Sequence, residues 1–314
     1  MTIDLRLLTG FVTVVDHGSL GRAAEALHMT QPALSRMIKR LENQLGAPLF
    51  DRETTGMALT GFGQALLPRA RLLVSDASHL MEDARAMKGL GRGTLRIGAI
   101  ASVAATLLPL AIVRLMRQAP DIRVQLLEGV EDRLAAALMD GEIDIAIAGE
   151  IAQSSQIMQT GGAIAGDDYG VVAAPGHRLA GAGPVTVEQL LDHPWVMPPM
   201  DASPRQAFEG VISALGHAPP IAHVETRSIS AMKALVAHGP FLAWLPRPVY
   251  LGEERAGQLV SLEVPPLAVR RHFRLYRRRH GVLSPAANCL LDVLRQQISA
   301  DIPAVSGCDS SLTV

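Results

Sequence analysis

Residues 18–45 read GSLGRAAEALHMTQPALSRMIKRLENQL, and this stretch decides the fold of the N-terminal region. Its first half places apolar residues at the i, i+3, i+4, i+7 spacing of one helical face, with Ser19 ahead of them as a helix cap. Its second half has another helical stripe of apolar residues. Thr30 precedes this stripe as a second candidate cap, and Pro32 falls in the first turn, where a helix tolerates proline. The spacing therefore predicts a helix-turn-helix. The two stripes consist of Leu20, Ala23, Ala24 and Leu27, and of Leu34, Ile38, Leu41 and Leu45.

The second of these helices also carries a polar row. Gln31, Ser35 and Lys39 recur at i, i+4, i+8, and two arginines flank them. A generic helical hairpin with solvated charges would show the same two helices. The sequence that follows favours DNA binding, because residues 50–60 predict two short extended pieces around a glycine, which is typical of a wing. We therefore interpret the second helix as a recognition helix.

A long ordered pattern runs through residues 23–52, AAEALHMTQPALSRMIKRLENQLGAPLFDR, and residues 59–67, LTGFGQALL. On this pattern the chain resembles LysR-type transcriptional regulators over nearly its whole length. The resemblance implies a winged helix-turn-helix (1–61), a dimerising linker helix (62–88) and a C-terminal two-lobed α/β effector domain that resembles periplasmic binding proteins. It also implies a ligand-responsive regulator that binds promoter DNA as a dimer of dimers, with RNA polymerase as a further candidate partner.

The recognition helix offers contacts of two kinds. Gln31 and Ser35 are candidates for reading base edges, since glutamine can pair bidentately with adenine. Arg36 and Lys39 are expected to position the helix on the phosphate backbone. Arg52 in the wing is expected to contact the backbone or the minor groove. The predicted DNA-contacting residues are Thr30, Gln31, Pro32, Ser35, Arg36, Lys39 and Arg52.

Bulk properties limit the class of protein. A length of 314 residues predicts two or three folding units. The net charge of −1 gives no sign of a polyanion partner, so DNA binding has to depend on where the basic residues cluster. Cys289 and Cys308 are too few for a disulfide framework, which fits a reducing compartment. No signal peptide and no apolar run of the ~18 residues that span a bilayer are recognisable, so we expect a cytoplasmic protein without a membrane partner.

Residues 62–88 carry apolar side chains at alternating spacings of four and three, the heptad pattern of a coiled coil. A lone amphipathic helix packed on its own domain would show part of this pattern, but the position between two domains favours a dimer seam. Pro68 is expected to bend the helix or to lie near its start. The glycine-rich residues 89–93 are interpreted as a hinge. The seam consists of Leu66, Ala70, Leu73, Ala77, Leu80, Ala84 and Met87.

From Thr94 onward strands and helices alternate, which predicts an α/β domain with a parallel sheet. Its first elements are a strand at 95–99 and one helix at 102–118. Two similar halves follow one another, and they indicate two lobes around a cleft. The resemblance adds a crossing between lobes near 161–167 and a return near 265–271. The boundaries are 94–161 and 266–298 for lobe I, 162–265 for lobe II, and 299–314 for a disordered tail.

The cleft is the expected effector site, because ligands of open α/β sheets bind beyond the carboxyl ends of strands. Ser102 stands at such a point and either binds an effector carboxylate or simply caps its helix. The resemblance places Glu131 opposite Ser102, where a carboxylate could select an amine or a hydroxyl, although a small anionic metabolite is the expected effector. Phe241 either narrows the cavity, stacks on the ligand or packs in the core. The predicted effector-binding residues are Ala101, Ser102, Glu131, Ser203, Ser228 and Phe241.

Other constellations predict little chemistry. The sequence has no G-x-S-x-G elbow and no His or Cys spacing typical of a metal site, so we predict no enzyme activity, no metal and no cofactor. The basic run at 270–279 is interpreted as a solvated strand edge, with DNA contact in an oligomer as the alternative. Two other protein classes stay open: a cytosolic metabolite-binding protein that only dimerises through its N-terminal helices, and an α/β enzyme with an appended regulatory module. Sequence-selective DNA binding excludes the first, and failure to turn over a bound metabolite excludes the second.

Overall fold

The computed structural model describes residues 4–53, 56–87, 93–152, 154–280 and 283–301. Contacts between residues divide the chain into two compact units. The first contains the residues up to 94 together with 136–143, and the second contains 95–135 and the residues from 144 onward. Residues 89–92 of the predicted hinge at 89–93 lie outside the described residues, as do residues 302–314 of the predicted tail.

The first unit begins with a helical core followed by a small wing. Phe11, Leu34 and Leu41 are fully buried where the first three helices meet, because the apolar stripes of these helices face one another. The two wing strands pair antiparallel, with Phe50 opposite Leu59. The elements are α1 (Leu5–His17), α2 (Leu20–Ala26), α3 (Gln31–Leu45), β1 (Phe50–Glu53), β2 (Gly56–Leu59) and α4 (Gly61–Met87).

The caps of α2 and α3 differ from one another. The Ser19 hydroxyl oxygen accepts a hydrogen bond from the Arg22 backbone N–H at 3.3 Å, which confirms the predicted cap. The Thr30 side chain makes no such bond, so the prediction of a side-chain cap at Thr30 is wrong. The reason is local: Pro32 has no N–H to donate, and the Ala33 N–H already donates to the Thr30 carbonyl oxygen at 3.0 Å.

The long helix α4 includes Pro68 within its length rather than at its first turn. Along the predicted heptad seam, Ala70 is buried against the helices of the first unit. Farther along, Leu73 and Leu80 are 54% and 68% exposed in the single chain. Leu73 and Leu80 of the seam therefore present apolar side chains that the single chain does not cover.

The second unit is an α/β domain built on a seven-stranded sheet in the order β10-β6-β11-β5-β3-β4, with β9 also paired to β6. β3 and β5 are parallel, whereas β11 is antiparallel to both β5 and β6. β7 and β8 form a separate parallel pair. The elements are β3 (Thr94–Ala99), α5 (Ala101–Ala105), α6 (Leu107–Gln118), β4 (Arg123–Glu128), α7 (Glu131–Met139), β5 (Ile145–Ala148), β6 (Ile157–Ala173), α8 (Val187–Leu191), β7 (Trp195–Met197), α9 (Ser203–Ala214), β8 (Ala222–Glu225), α10 (Ile229–His238), β9 (Ala243–Pro246), α11 (Arg247–Arg255), β10 (Val260–Leu262), β11 (Arg270–Arg278) and α12 (Pro285–Asp301).

Two long strands, β6 and β11, run through the region of the two predicted lobes. Most of β6 pairs with β11, and the last part of β6 pairs with β9 and β10 of lobe II. Residues 161–167, where the crossing between lobes is predicted, are part of a strand of 17 residues. Within it, residues 165–167 pair with β11, whereas residues 161–164 fall at the register shift between Phe273 and Leu275, where Gly161 has a φ of +75°.

Three further expectations are corrected by the structure. The predicted helix at 102–118 is two helices, interrupted at Thr106, whose hydroxyl donates to the Ser102 carbonyl oxygen. The basic run at 270–279 is not a sheet edge, because β11 lies between β5 and β6. Residues 299–301, which were assigned to the tail, belong to α12, since this helix continues to Asp301.

Candidate functional site

The face of α3 opposite the core is polar and exposed. Gln31, Arg36 and Lys39 are exposed, and Ser35 is partly buried. Leu34 and Ile38, which lie one helical turn apart, are buried. This division follows from the helical period, since the apolar stripe fixes which side faces outward. Thr30, Pro32 and Arg40 are exposed as well.

The cations on this face are not neutralised by neighbours. Among the residues that the structure describes, Arg36, Lys39 and Arg40 form no ion pair. Unpaired cations on one side of a helix are suited to DNA phosphates. Arg52 lies on β1, but its side chain is outside the described part of the chain.

The second unit contains a cavity of about 570 Å³. It begins where β3 ends, at residues 100–102, and is closed by the start of α7 and by residues of β9 and β11. This is the position at which α/β sheets bind small molecules, and the volume is typical of such sites.

A buried ion cluster forms one wall of the cavity. The Arg271 Nε and Nη2 donate to the two carboxylate oxygens of Asp167 at 3.0 and 2.9 Å. The same Nη2 donates to the Ser102 hydroxyl oxygen at 3.0 Å, and Nη1 lies 3.4 Å from a Glu131 carboxylate oxygen. The other Glu131 oxygen accepts a hydrogen bond from the Ser203 hydroxyl at 2.9 Å.

Burial strengthens the electrostatic interactions between the charged groups of this cluster. The exposed fractions of the side chains are 0% for Asp167, 11% for Glu131 and 16% for Arg271. Burial by itself lowers the pKa of Arg271, but the hydrogen bond to Asp167 and the nearby negative charges outweigh it, so that this pKa lies above its usual value. Burial also raises the pKa of Tyr169 to about 12, which keeps its hydroxyl protonated.

Two aromatic rings stand beside the cluster. Tyr169 and Trp244 both line the cavity and are stacked with ring centroids 3.9 Å apart. The Arg271 guanidinium lies over the Tyr169 ring at 4.9 Å, a cation–π arrangement. The indole N–H of Trp244 donates to the Leu267 carbonyl oxygen, which fixes that ring. The Arg271 and Trp244 side chains of this wall therefore already donate to groups within the protein.

The predicted effector residues fall into two groups. Ala101, Ser102 and Glu131 line the cavity, while Ser203 lines an adjoining cavity of about 400 Å³ and reaches Glu131. Ser102 is buried and does not cap its helix, since Ile100 occupies the N-cap position of α5.

The other two predicted residues do not reach the site. Neither Ser228 nor Phe241 is among the described residues that line either cavity. The Ser228 hydroxyl oxygen caps α10 by accepting from the Ala231 N–H, and Phe241 packs against the core of lobe II beside Val236. Phe241 thus follows the core alternative.

Three residues of the cavity wall were missed by the sequence reasoning, Tyr169, Trp244 and Arg271, and so was Asp167, the partner of Arg271 in the ion cluster. Arg271 was grouped with a solvated run, yet it alternates with exposed neighbours, because side chains of a strand point to opposite faces. The one usable signal was this alternation beside the apolar Phe273 and Leu275. The partner of Arg271, Asp167, lies 104 residues away in the sequence and no local pattern indicates it.

Two family models match the chain. Residues 5–64 match the bacterial regulatory helix-turn-helix protein, lysR family, and residues 88–299 match the LysR substrate binding domain. The chain belongs to the LysR family. It is thus a transcriptional regulator with a DNA-binding domain and an effector-binding domain, which confirms the resemblance and the predicted fold class.

Relatives match the regulator over nearly its full length. The SDS degradation transcriptional activation protein of Pseudomonas sp. (strain ATCC 19151) is 33% identical and covers 96% of this chain and 98% of its own. The HTH-type transcriptional regulator CbbR of Rhizobium meliloti (strain 1021) is 30% identical over 97% of this chain and 96% of its own. The crystal structure of CbnR, a LysR family transcriptional regulator, has a TM-score of 0.69 at 21% identity and covers 94% of this chain and 99% of that one.

These relatives are named as regulators of transcription. Among the described helices of this regulator, none is long and apolar enough to cross a membrane.

Proposed function

We propose that this regulator binds promoter DNA through the exposed face of α3 and changes transcription when a small molecule occupies the cleft of the second unit. The observation that carries the proposal is the face of α3, on which exposed polar side chains and unpaired cations stand over a buried apolar stripe. Membership of the LysR family supports the same assignment.

Each residue of the face has a role in the proposal. Gln31 and Ser35 read base edges in the major groove. Arg36 and Lys39 bind phosphates and orient the helix, and the Thr30 hydroxyl, which does not cap α3, is available to a phosphate. Pro32 shapes the first turn, and Arg52 contacts the DNA from the wing.

The proposal includes an oligomer. The exposed Leu73 and Leu80 on the heptad seam of α4 support pairing with a second copy of the chain. Two such dimers would place four recognition helices on an interrupted palindrome, since two-fold protein symmetry requires two-fold DNA symmetry. RNA polymerase is a candidate partner at the promoter. We place the protein in the cytoplasm with the DNA, and we propose that it is not an enzyme.

The effector site of the proposal is the cavity beside Arg271. Ala101, Ser102 and Glu131 line it, and Ser203 acts on it through Glu131. Occupation of the cleft would change the separation of the two lobes and, through the oligomer, the spacing of the recognition helices.

Selection of genomic fragments by the purified protein at near-physiological salt, followed by footprinting, tests the proposal. The expected result is one interrupted palindrome beside a small number of genes. Salt-sensitive binding without a preferred sequence would contradict it and would favour the metabolite-binding alternative.

A further inference from the structure

We propose that the cleft selects an effector with a cationic head, such as a protonated amine, on an apolar body, and that Glu131 is the residue that recognises the head. The inference rests on the proposed function only in taking the cavity beside Arg271 as the effector site. It concerns the charge class of the ligand, which the balance of charges around the cavity decides.

Arg271 already has hydrogen-bond partners within the protein. Asp167 accepts two hydrogen bonds from its guanidinium in a bidentate arrangement at 2.9 and 3.0 Å, and Ser102 accepts a third. A carboxylate ligand that took Arg271 as its partner would have to displace Asp167, whose side chain is fully buried. An unpaired buried carboxylate is strongly unfavourable, so Arg271 is a poor anion site.

The negative charge of the cluster is not fully balanced, and Glu131 carries the unbalanced part. The cluster contains two carboxylates and one guanidinium, and Glu131 is the carboxylate that lies farther from Arg271, at 3.4 Å. Glu131 also lines the cavity, whereas Asp167 is not among the described residues that line it. A cation in the cavity would balance this charge, and an anion would add to the negative charge.

The remaining charged side chains of the wall do not reverse this balance. Glu128 and Asp132 line the cavity together with Arg133, which itself has an interaction partner. Arg227 is held by both oxygens of Asp201 at 2.6 Å each. Acidic groups therefore outnumber the basic groups that could accept an anion.

Aromatic and apolar side chains form much of the remaining cavity wall. Trp244 and Tyr169 line the cavity and add aromatic surface to it, although the Tyr169 ring is already stacked on Trp244 and covered by the Arg271 guanidinium. Apolar side chains including Ile100, Met232 and Leu245 complete the wall and fit an apolar body. The cavity thus combines acidic groups, Glu131 among them, with apolar and aromatic surface.

The test uses three probes of one shape that differ in the head group: phenethylamine, phenethyl alcohol and phenylacetate. Each is titrated at pH 7 into the full-length protein, with binding followed by calorimetry and by saturation-transfer NMR. We expect the amine to bind at least about tenfold more tightly than the alcohol, and phenylacetate to bind most weakly, because charge-assisted hydrogen bonds exceed neutral ones.

Variants assign the preference to Glu131. In Glu131→Gln the amine and the alcohol should bind with similar affinity, whereas Glu131→Asp should keep the preference for the amine because it keeps the charge. Glu225→Gln, at an exposed position on β8, serves as the matched control and should bind all three probes like the parent protein. If Glu131→Gln fails to fold, the comparison of Glu131→Asp with the parent and the ranking of the three probes still decide the matter.

Tightest binding of phenylacetate, equal binding of the three probes, or no binding of any of them would each overturn the inference. An amine preference that survives in Glu131→Gln would overturn the role of Glu131. These results are distinct from failure of the proposed function, because fragment selection and footprinting on the same preparation report DNA recognition separately. Tight phenylacetate binding that alters the footprint would leave the cleft as the effector site and reject the cationic class alone.

Discussion

The exposed face of α3 and the buried cluster around Arg271 use similar charged residues in opposite ways. On α3, Arg36 and Lys39 are exposed and form no ion pair among the described residues. Around Arg271, every charged group is largely buried and has a partner inside the protein. A mobile exposed cation can bind any phosphate, whereas a fixed buried cluster accepts only a ligand that improves its existing balance.

The comparison separates stability from recognition. Removing an exposed cation from α3 should cost binding and almost no stability, because surface charges contribute little to folding. Removing a member of the buried cluster should cost stability first, because its partners would be left buried without compensation.

The largest effect is expected from Arg271→Ala. The substitution leaves Asp167 and Glu131 without their cation, so the free energy of unfolding should fall by about 3–5 kcal/mol. Urea denaturation followed by circular dichroism measures the change. Arg270→Ala on the same strand is the control, because Arg270 is exposed and should change stability by less than about 0.5 kcal/mol. Equal losses in the two variants would show that burial of the cluster does not matter.

The next effect concerns the reading of bases. Gln31→Ala should reduce discrimination at one position of the DNA site by about 1–3 kcal/mol, since a bidentate contact to adenine is lost. Competition binding with operator variants at a fixed salt concentration measures this. Unchanged discrimination at every position would reject the assignment of Gln31, and a general loss of affinity would assign it to the phosphate backbone instead.

The difference between the two regions also explains how far the sequence predicts the molecule. The stripes of α2 and α3 repeat within a few residues, so the helices, the exposed face and the Ser19 cap could be predicted from spacing. The cluster around Arg271 could not, because its members come from α5, α7, β6 and β11, and their meeting depends on strand pairing. The position at a helix start indicates Ser102, and the resemblance to LysR-type regulators indicates Glu131, whereas the interpretation of the basic run as a sheet edge misassigns Arg271.

Errors of the same origin account for Ser228 and Phe241. Both stand at ends of elements in lobe II, where sequence position suggests access to a cleft. The hydroxyl of Ser228 is used as a cap of α10, and the ring of Phe241 packs in the core. A local pattern identifies the end of a helix, but it does not state which side of the lobe that end faces.

A third prediction isolates the phosphate contacts. Lys39→Ala should weaken binding to all DNA sequences similarly and lower the slope of log affinity against log salt by about one, because one fewer counterion is released. Binding measured by fluorescence anisotropy at several salt concentrations gives the slope. Arg69→Ala, at an exposed position on α4, should leave the slope unchanged. A selective loss at single base pairs would place Lys39 among the base-reading residues.

The smallest effects are expected at the two helix starts, where the hydroxyls of Ser19 and Thr30 have different uses. Ser19→Ala removes a bond to the Arg22 N–H and should cost about 1 kcal/mol of stability without changing DNA affinity. Thr30→Ala removes no capping bond, so it should cost less than about 0.5 kcal/mol of stability while weakening DNA binding. Paired thermal denaturation and anisotropy titrations on both variants distinguish these outcomes. A stability loss at Thr30 equal to that at Ser19 would mean that its hydroxyl caps α3 in solution, and its assignment to a phosphate would then lose its support.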